Sequence, residues 1–135
     1  MLVTENKARA LLSDYPNNPI ILNILSVCLI SQNQFDEPEK ILTKLIDNYP
    51  RYFEPYINLG ALLDRQNKKD EALTVFNKCL EFKDIHESSK EILHLNVGNI
   101  LLDKALYDEA IESYKSSLKI NPKNINAHNK IGDAF

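Results

Sequence analysis

The sequence predicts an all-α fold, an α-solenoid of about eight helices stacked as antiparallel pairs, and three spacings predict it. The three glycines, Gly60, Gly98 and Gly132, stand 38 and 34 residues apart. Ala72 and Ala110 each follow a glycine by twelve residues. Pro16 and Pro50 are 34 apart, and Pro122 follows 72 later, two periods plus four. A period near 34 with small residues and prolines at fixed offsets marks helix pairs that bury their apolar stripes by stacking on their neighbours.

The elements follow in order. Residues 1–18 form a half repeat, a single second helix with Ala8, Leu11 and Leu12 facing inward before Tyr15-Pro16. Residues 19–52 form the first full repeat, with Leu22, Leu25, Ser26 and Leu29 on its first helix and Leu42 and Leu45 on its second. Residues 53–90 repeat the pattern: Tyr56, Leu59, Gly60 and Leu63 make an i, i+3, i+4, i+7 stripe. A polar turn at Gln66-Asn67-Lys68 follows, then Ala72, Leu73, Phe76, Cys79 and Leu80 share one helical face. Residues 91–124 do the same with His94, Val97, Gly98 and Leu101, then Ala110, Ile111, Tyr114 and Leu118. Residues 125–135 are a first helix alone. Neither end shows a polar capping face, so the chain reads as part of a longer protein.

The small residues let paired helices approach. Ser26, Gly60, Gly98 and Gly132 share one slot of the first helix; Pro38, Ala72 and Ala110 share one of the second. Asp36 is expected as an N-cap, which places Pro38 in a first turn where no intrahelical donor is lost. Asp70 is expected to cap its helix too. The stretch Asp84–Lys90 holds four extra residues, predicting a longer turn or a first helix extended by one turn starting near His86 to Ser89.

This pattern resembles the tetratricopeptide repeat. The resemblance rests on Tyr56-Ile-Asn-Leu-Gly60, Tyr107-Asp-Glu-Ala110-Ile-Glu-Ser-Tyr114 and Asn121-Pro122, and it covers essentially the whole chain. It implies a right-handed superhelix whose first helices line an inner groove. It also implies a role in binding proteins or peptides.

Composition narrows the function. The chain is 44% hydrophobic and 26% charged, enough to build a core. Its net charge of −3 supplies no basic surface for nucleic acid and no polybasic membrane anchor. The most apolar window, 20–30, is far short of the ~20 residues that cross a bilayer. Cys28 and Cys79 lie in apolar helical stretches with no second thiol or histidine at ligand spacing, and they read as small buried hydrophobes in a reducing, cytoplasmic setting.

No chemistry of a catalytic kind stands out. His94 and His128, 34 apart, occupy a slot that in this family usually holds a large aromatic, and both are expected as packed rings. Asp36-Glu37, Asp70-Glu71 and Asp108-Glu109 each open a second helix, where capping and the helix dipole account for them. No phosphate-binding glycine loop is possible at this glycine spacing. The chain is therefore expected to be no enzyme and to need no cofactor or metal.

Function is expected on the first-helix face. The candidate peptide-groove residues are Asn58, Asp64, Arg65, Asn96, Asn99, Asp103, Asn129 and Lys130. Their amides can both donate to and accept from an extended peptide backbone. The groove charges Glu54, Asp64, Asp103 and Asp133 outnumber Arg65 and Lys130, which suits a neutral or mildly basic segment. Some tetratricopeptide domains clamp a chaperone's C-terminal carboxylate. Here only Asn96 and Lys130 match that set, because Ile57, Ala61 and Asn126 stand where the clamp needs lysines and an asparagine.

The leading expectation is a non-catalytic interaction scaffold that holds a peptide or partner helix. The alternative is a substrate-recruiting or oligomerising arm of a larger enzyme, such as a glycosyltransferase or sulfotransferase. The helix 19–32 is apolar nearly all round, which predicts self-association there or through Ile131–Phe135.

Overall fold

The structure, a computed structural model, describes residues 2–135. Among these are eight helices and no strand. They are α1 (Leu2–Asp14), α2 (Pro19–Ser31), α3 (Asp36–Asn48), α4 (Glu54–Arg65), α5 (Lys69–Leu80), α6 (Glu87–Asp103), α7 (Tyr107–Ile120) and α8 (Ile125–Ala134). The chain divides into two compact units, Met1–Lys68 and Lys69–Phe135, so the division falls in the turn between α4 and α5.

In the first unit, α2 packs against α1, α3 and α4. Ala8, Leu25 and Leu29 join α1 to α2, with Leu12, Ile21 and Ile41 against them. Ile30, Leu42, Leu45 and Leu62 join α2, α3 and α4. Asn18 starts α2: its side chain accepts from the Ile20 and Ile21 amides, and Pro19 takes the first helical position, where a missing N–H costs nothing. Leu11 departs from expectation. It is 49% exposed, because α1 buries only a narrow stripe centred on Ala8.

In the second unit, α6 packs against α5, α7 and α8. Ala110, Tyr114 and Ala127 are buried together, with Leu101, Leu118 and Ile131 against them. A Cβ placed on Gly98 would meet three atoms of the Tyr114 ring at 2.6–2.9 Å. A Cβ on Gly132 would meet nothing within 4 Å. The same sequence slot is thus tight at one glycine and open at the other.

The extra residues after α5 lengthen α6. It has 17 residues, against 13 in α2 and 12 in α4, and its N-cap is His86, within the expected window. Ile85 is buried and pins the connection.

The expected aspartate caps are corrected. Asp36 is the first residue of α3, and its N-cap is Phe35, which makes no side-chain capping bond. Asp70 is the second residue of α5. Each chain enters its helix one or two residues early, so these carboxylates act on the helix dipole instead of capping an orphan amide. Pro38 still lies in the first turn and is buried.

Three turns share one backbone solution. Asn33, Asn67 and Ala105 all have φ near +60°. In each turn the amide of the next residue reaches back five positions: Gln34 to the Leu29 carbonyl, Lys68 to Leu63 and Leu106 to Leu101, at 2.8–3.0 Å. This Schellman arrangement consumes carbonyls that the helix end leaves orphaned. Asparagine tolerates the left-handed region, but alanine carries a Cβ penalty there. Ala105→Gly is therefore expected to stabilise the second unit by about 1 kcal/mol, read as a higher denaturant midpoint at unchanged m-value.

Candidate binding faces on the first helices

In the first unit the candidate face lies on α2 and α4. α2 contains no charged residue. It exposes Ile20, Ile24 and Val27 at 61%, 43% and 40%, an i, i+4, i+7 apolar stripe. Asn58 is half-buried, and its Nδ2 donates to Oδ1 of buried Asn23 at 2.8 Å. Asn23 in turn bonds the Tyr52 side chain, whose hydroxyl titrates above its ordinary value, first because it is buried and then because of Glu54. Tyr52, Asn23 and Asn58 therefore form a polar ladder across the two helices. Arg65 ends α4, and its Nη1 donates to the Ile30 carbonyl at 2.8 Å and to Asn33 Oδ1 at 3.4 Å. It thus closes the C-terminus of α2, a favourable place for a cation. Asp64 is half-buried and not free.

In the second unit the candidate face lies on α6 and α8. The Tyr114 hydroxyl donates to Asn99 Oδ1 at 2.8 Å, so Asn99 anchors the buried ring. That hydroxyl is pushed up to about 12, first by burial and then by the carboxylates of Asp103 and Asp133. Asp103 also holds Lys69 Nζ at 3.1 Å. Asn96 and Lys130 are half-buried and Asn129 is exposed. None of these three has a side-chain hydrogen bond or ion pair among the described residues. They differ in this from Asn58, Arg65, Asn99 and Asp103, each of which holds an internal partner.

The histidines part company. His94 is half-buried, and burial, then Lys90, holds its pKa below the ordinary value near 6.5. His128 is exposed, with Nε2 2.9 Å from the Pro122 carbonyl, and is not the packed ring that its slot predicts. α8 presents that slot outward, whereas α6 carries it beside neighbouring helices. A depressed histidine pKa means the unfolded chain binds more protons. Stability from His94 is then present above its unfolded pKa and lost as pH falls through 6.5 toward the lower folded value. His94→Phe is expected to flatten the melting-temperature profile between pH 7 and 5, measured by circular dichroism.

Sequence reasoning missed three polar clusters. Asn23 is one, hidden in a slot that holds Ile57 and Leu95 in the other repeats. Glu91 is another: Oε1 accepts from Asn121 at 3.0 Å and from Asn124 at 2.7 Å, tying the α7–α8 turn to α6. The third joins α1 to α3. Arg9 bonds Glu5 through Nε at 2.9 Å and grips both oxygens of Glu37. Gln32 donates to Glu5 at 2.9 Å. Arg9 and then Gln32 hold the Glu5 carboxyl below its usual range. Only the i, i+4 spacing of Glu5 and Arg9 signalled this cluster in advance. Cys28 and Cys79 are buried and form no disulfide, as expected. Among the described residues, no three potential ligands converge on a metal site, and no helix is long and apolar enough to cross a membrane.

The comparisons with known proteins fit this geometry. A tetratricopeptide repeat family model matches residues 53–86, and a TPR repeat model matches 98–135, together more than half of the chain. The chain is a tetratricopeptide-repeat domain. Over 108 residues it is 30% identical to protein O-mannosyl-transferase TMTC1 of Mus musculus, a match covering 80% of this chain and 12% of that protein. It is 26% identical over 109 residues to anaphase-promoting complex subunit 7 of Dictyostelium discoideum, covering 80% of this chain and 18% of that one. The chain thus spans less than a fifth of these relatives. Among solved structures, MamA superposes with a TM-score of 0.79 at 21% identity, covering 96% of this chain and 74% of that one. The first TPR of Spaghetti (RPAP3), bound to an HSP90 peptide, gives 0.77 at 20% identity, covering 86% and 89%. These likenesses establish the tetratricopeptide fold, an all-α solenoid.

Proposed function

We propose that this tetratricopeptide domain is a non-catalytic interaction scaffold that holds a peptide or partner helix on its first-helix faces. The observation that carries the reading is the set of unengaged polar side chains on α6 and α8: Asn96, Asn129 and Lys130. Asn96, a half-buried amide without an internal partner, favours a ligand that supplies its missing hydrogen bonds, with exposed Asn129 and the Lys130 ammonium beside it on α8. A peptide-bound neighbour of the same fold supports this use of the scaffold. The departures at Ile57, Ala61 and Asn126 argue against an acidic C-terminal tail as the ligand. A neutral or mildly basic segment in a reducing, cytoplasmic setting fits better. The enzyme-arm reading is not favoured, because the relatives include anaphase-promoting complex subunits as well as transferases.

The test is Asn96→Ala with Lys130→Ala. Partner affinity, measured by calorimetry against a peptide selected from a display library, is expected to fall roughly tenfold, about 1.4 kcal/mol. Melting temperature should hold, since neither side chain has an internal partner. Unchanged affinity would sink the reading. Self-association belongs to the same proposal, through Ile20, Ile24 and Val27 or through Ile131–Phe135. A sedimentation coefficient independent of concentration would dismiss it.

A further inference from the structure

The structure carries a groove lined by none of the eight candidate residues on the first helices. It lies within the second unit, between α5 and α7 over α6, and is an open depression of about 580 Å³. Its apolar lining is Leu73, Val97 and Leu101, and its rim on α7 is Asp108, Glu109 and Glu112. No lysine or arginine lines it. The volume is of the size that holds small ligands and short peptide anchors. Asp108 and Glu109 sit in the first turn of α7, where the helix dipole favours them. Glu112 lies beyond that turn. Its counter-ion, Lys115, stands 3.5 Å away with both side chains more than half exposed, so the pair is weak and exchangeable.

We infer that this groove is a second docking surface, for a short segment that alternates basic and aliphatic side chains. Leucine-like anchors would cover Leu73 and Leu101, both half-exposed to the groove, while arginine or lysine would meet the three carboxylates. A like-charged segment is repelled, which gives the surface its selectivity.

A fluorescein-labelled hexapeptide alternating arginine and leucine tests this by polarisation at low salt. The control peptide replaces arginine with glutamate. The basic peptide is expected to bind and the acidic one not to. Binding should weaken with added salt, and Glu109→Gln with Glu112→Gln should reduce affinity at least fivefold while leaving the circular dichroism spectrum unchanged. Amide shifts on the intact chain should centre on Leu73, Leu101 and Glu112. The inference is overturned by equal affinity in the double variant, by absent binding of the basic peptide, or by shifts centred on Asn96 and Asn129.

Discussion

Gly98→Ala is expected to destabilise the second unit by up to about 2 kcal/mol, although glycine-to-alanine changes inside helices ordinarily stabilise. Two effects oppose each other. Alanine gains roughly 1 kcal/mol of helix propensity over glycine. Against that, the new methyl would press on the Tyr114 ring at 2.6–2.9 Å, and overpacking a closed core costs about 1–3 kcal/mol or more. The ring has nowhere to go: it is fully buried, and Asn99 holds its hydroxyl. The clash therefore wins. Thermal unfolding followed by circular dichroism should show a drop of several degrees. Gly132→Ala is the control, since the same chemical change meets open space there and should be neutral or mildly stabilising. Tyr114→Leu in the Gly98→Ala background should recover part of the loss, a coupling that a double-mutant cycle would detect. If Gly98→Ala proves stabilising, the close approach of α6 and α7 is wrong.

Asn58→Ala is expected to cost about 1–3 kcal/mol of stability in the first unit, whatever it does to binding. The deletion leaves the Oδ1 of buried Asn23 without its donor, and an unsatisfied buried acceptor carries that penalty. Chemical denaturation would show a lower midpoint at unchanged slope. Asn23→Leu with Asn58→Leu, which removes both partners, should lose less than the single alanine change. Asn58 and Asn96 share a repeat slot, yet only Asn58 is tied to a buried partner. A binding defect at Asn58 would therefore be confounded with loss of structure, and Asn96 is the cleaner probe.

These two positions show what the sequence could and could not disclose. The period anticipated the eight helices, because their apolar stripes recur along the chain. It also anticipated the long α6 from the extra residues before it. It did not reveal the Asn23–Asn58 bond, because the two residues occupy different slots and meet only where α2 lies beside α4. The same holds for Arg9 with Glu37 and for Glu91 with Asn121 and Asn124. Such pairs depend on neighbours in space with no fixed offset along the chain. The aspartate caps failed for a local reason: the helices begin one or two residues earlier than their capping chemistry suggests. His128 failed because α8 leaves its slot facing outward, whereas α6 half-buries His94.

The two cysteines have a practical consequence. Cys28 lies in the first unit and Cys79 in the second, and both are buried thiols outside any disulfide. A buried thiol reacts with a labelling reagent only when its surroundings open. The chain thus carries one internal clock in each half. Under pulsed alkylation, the ratio of the two labelling rates would report whether the halves open together or separately, with no engineered probe in either.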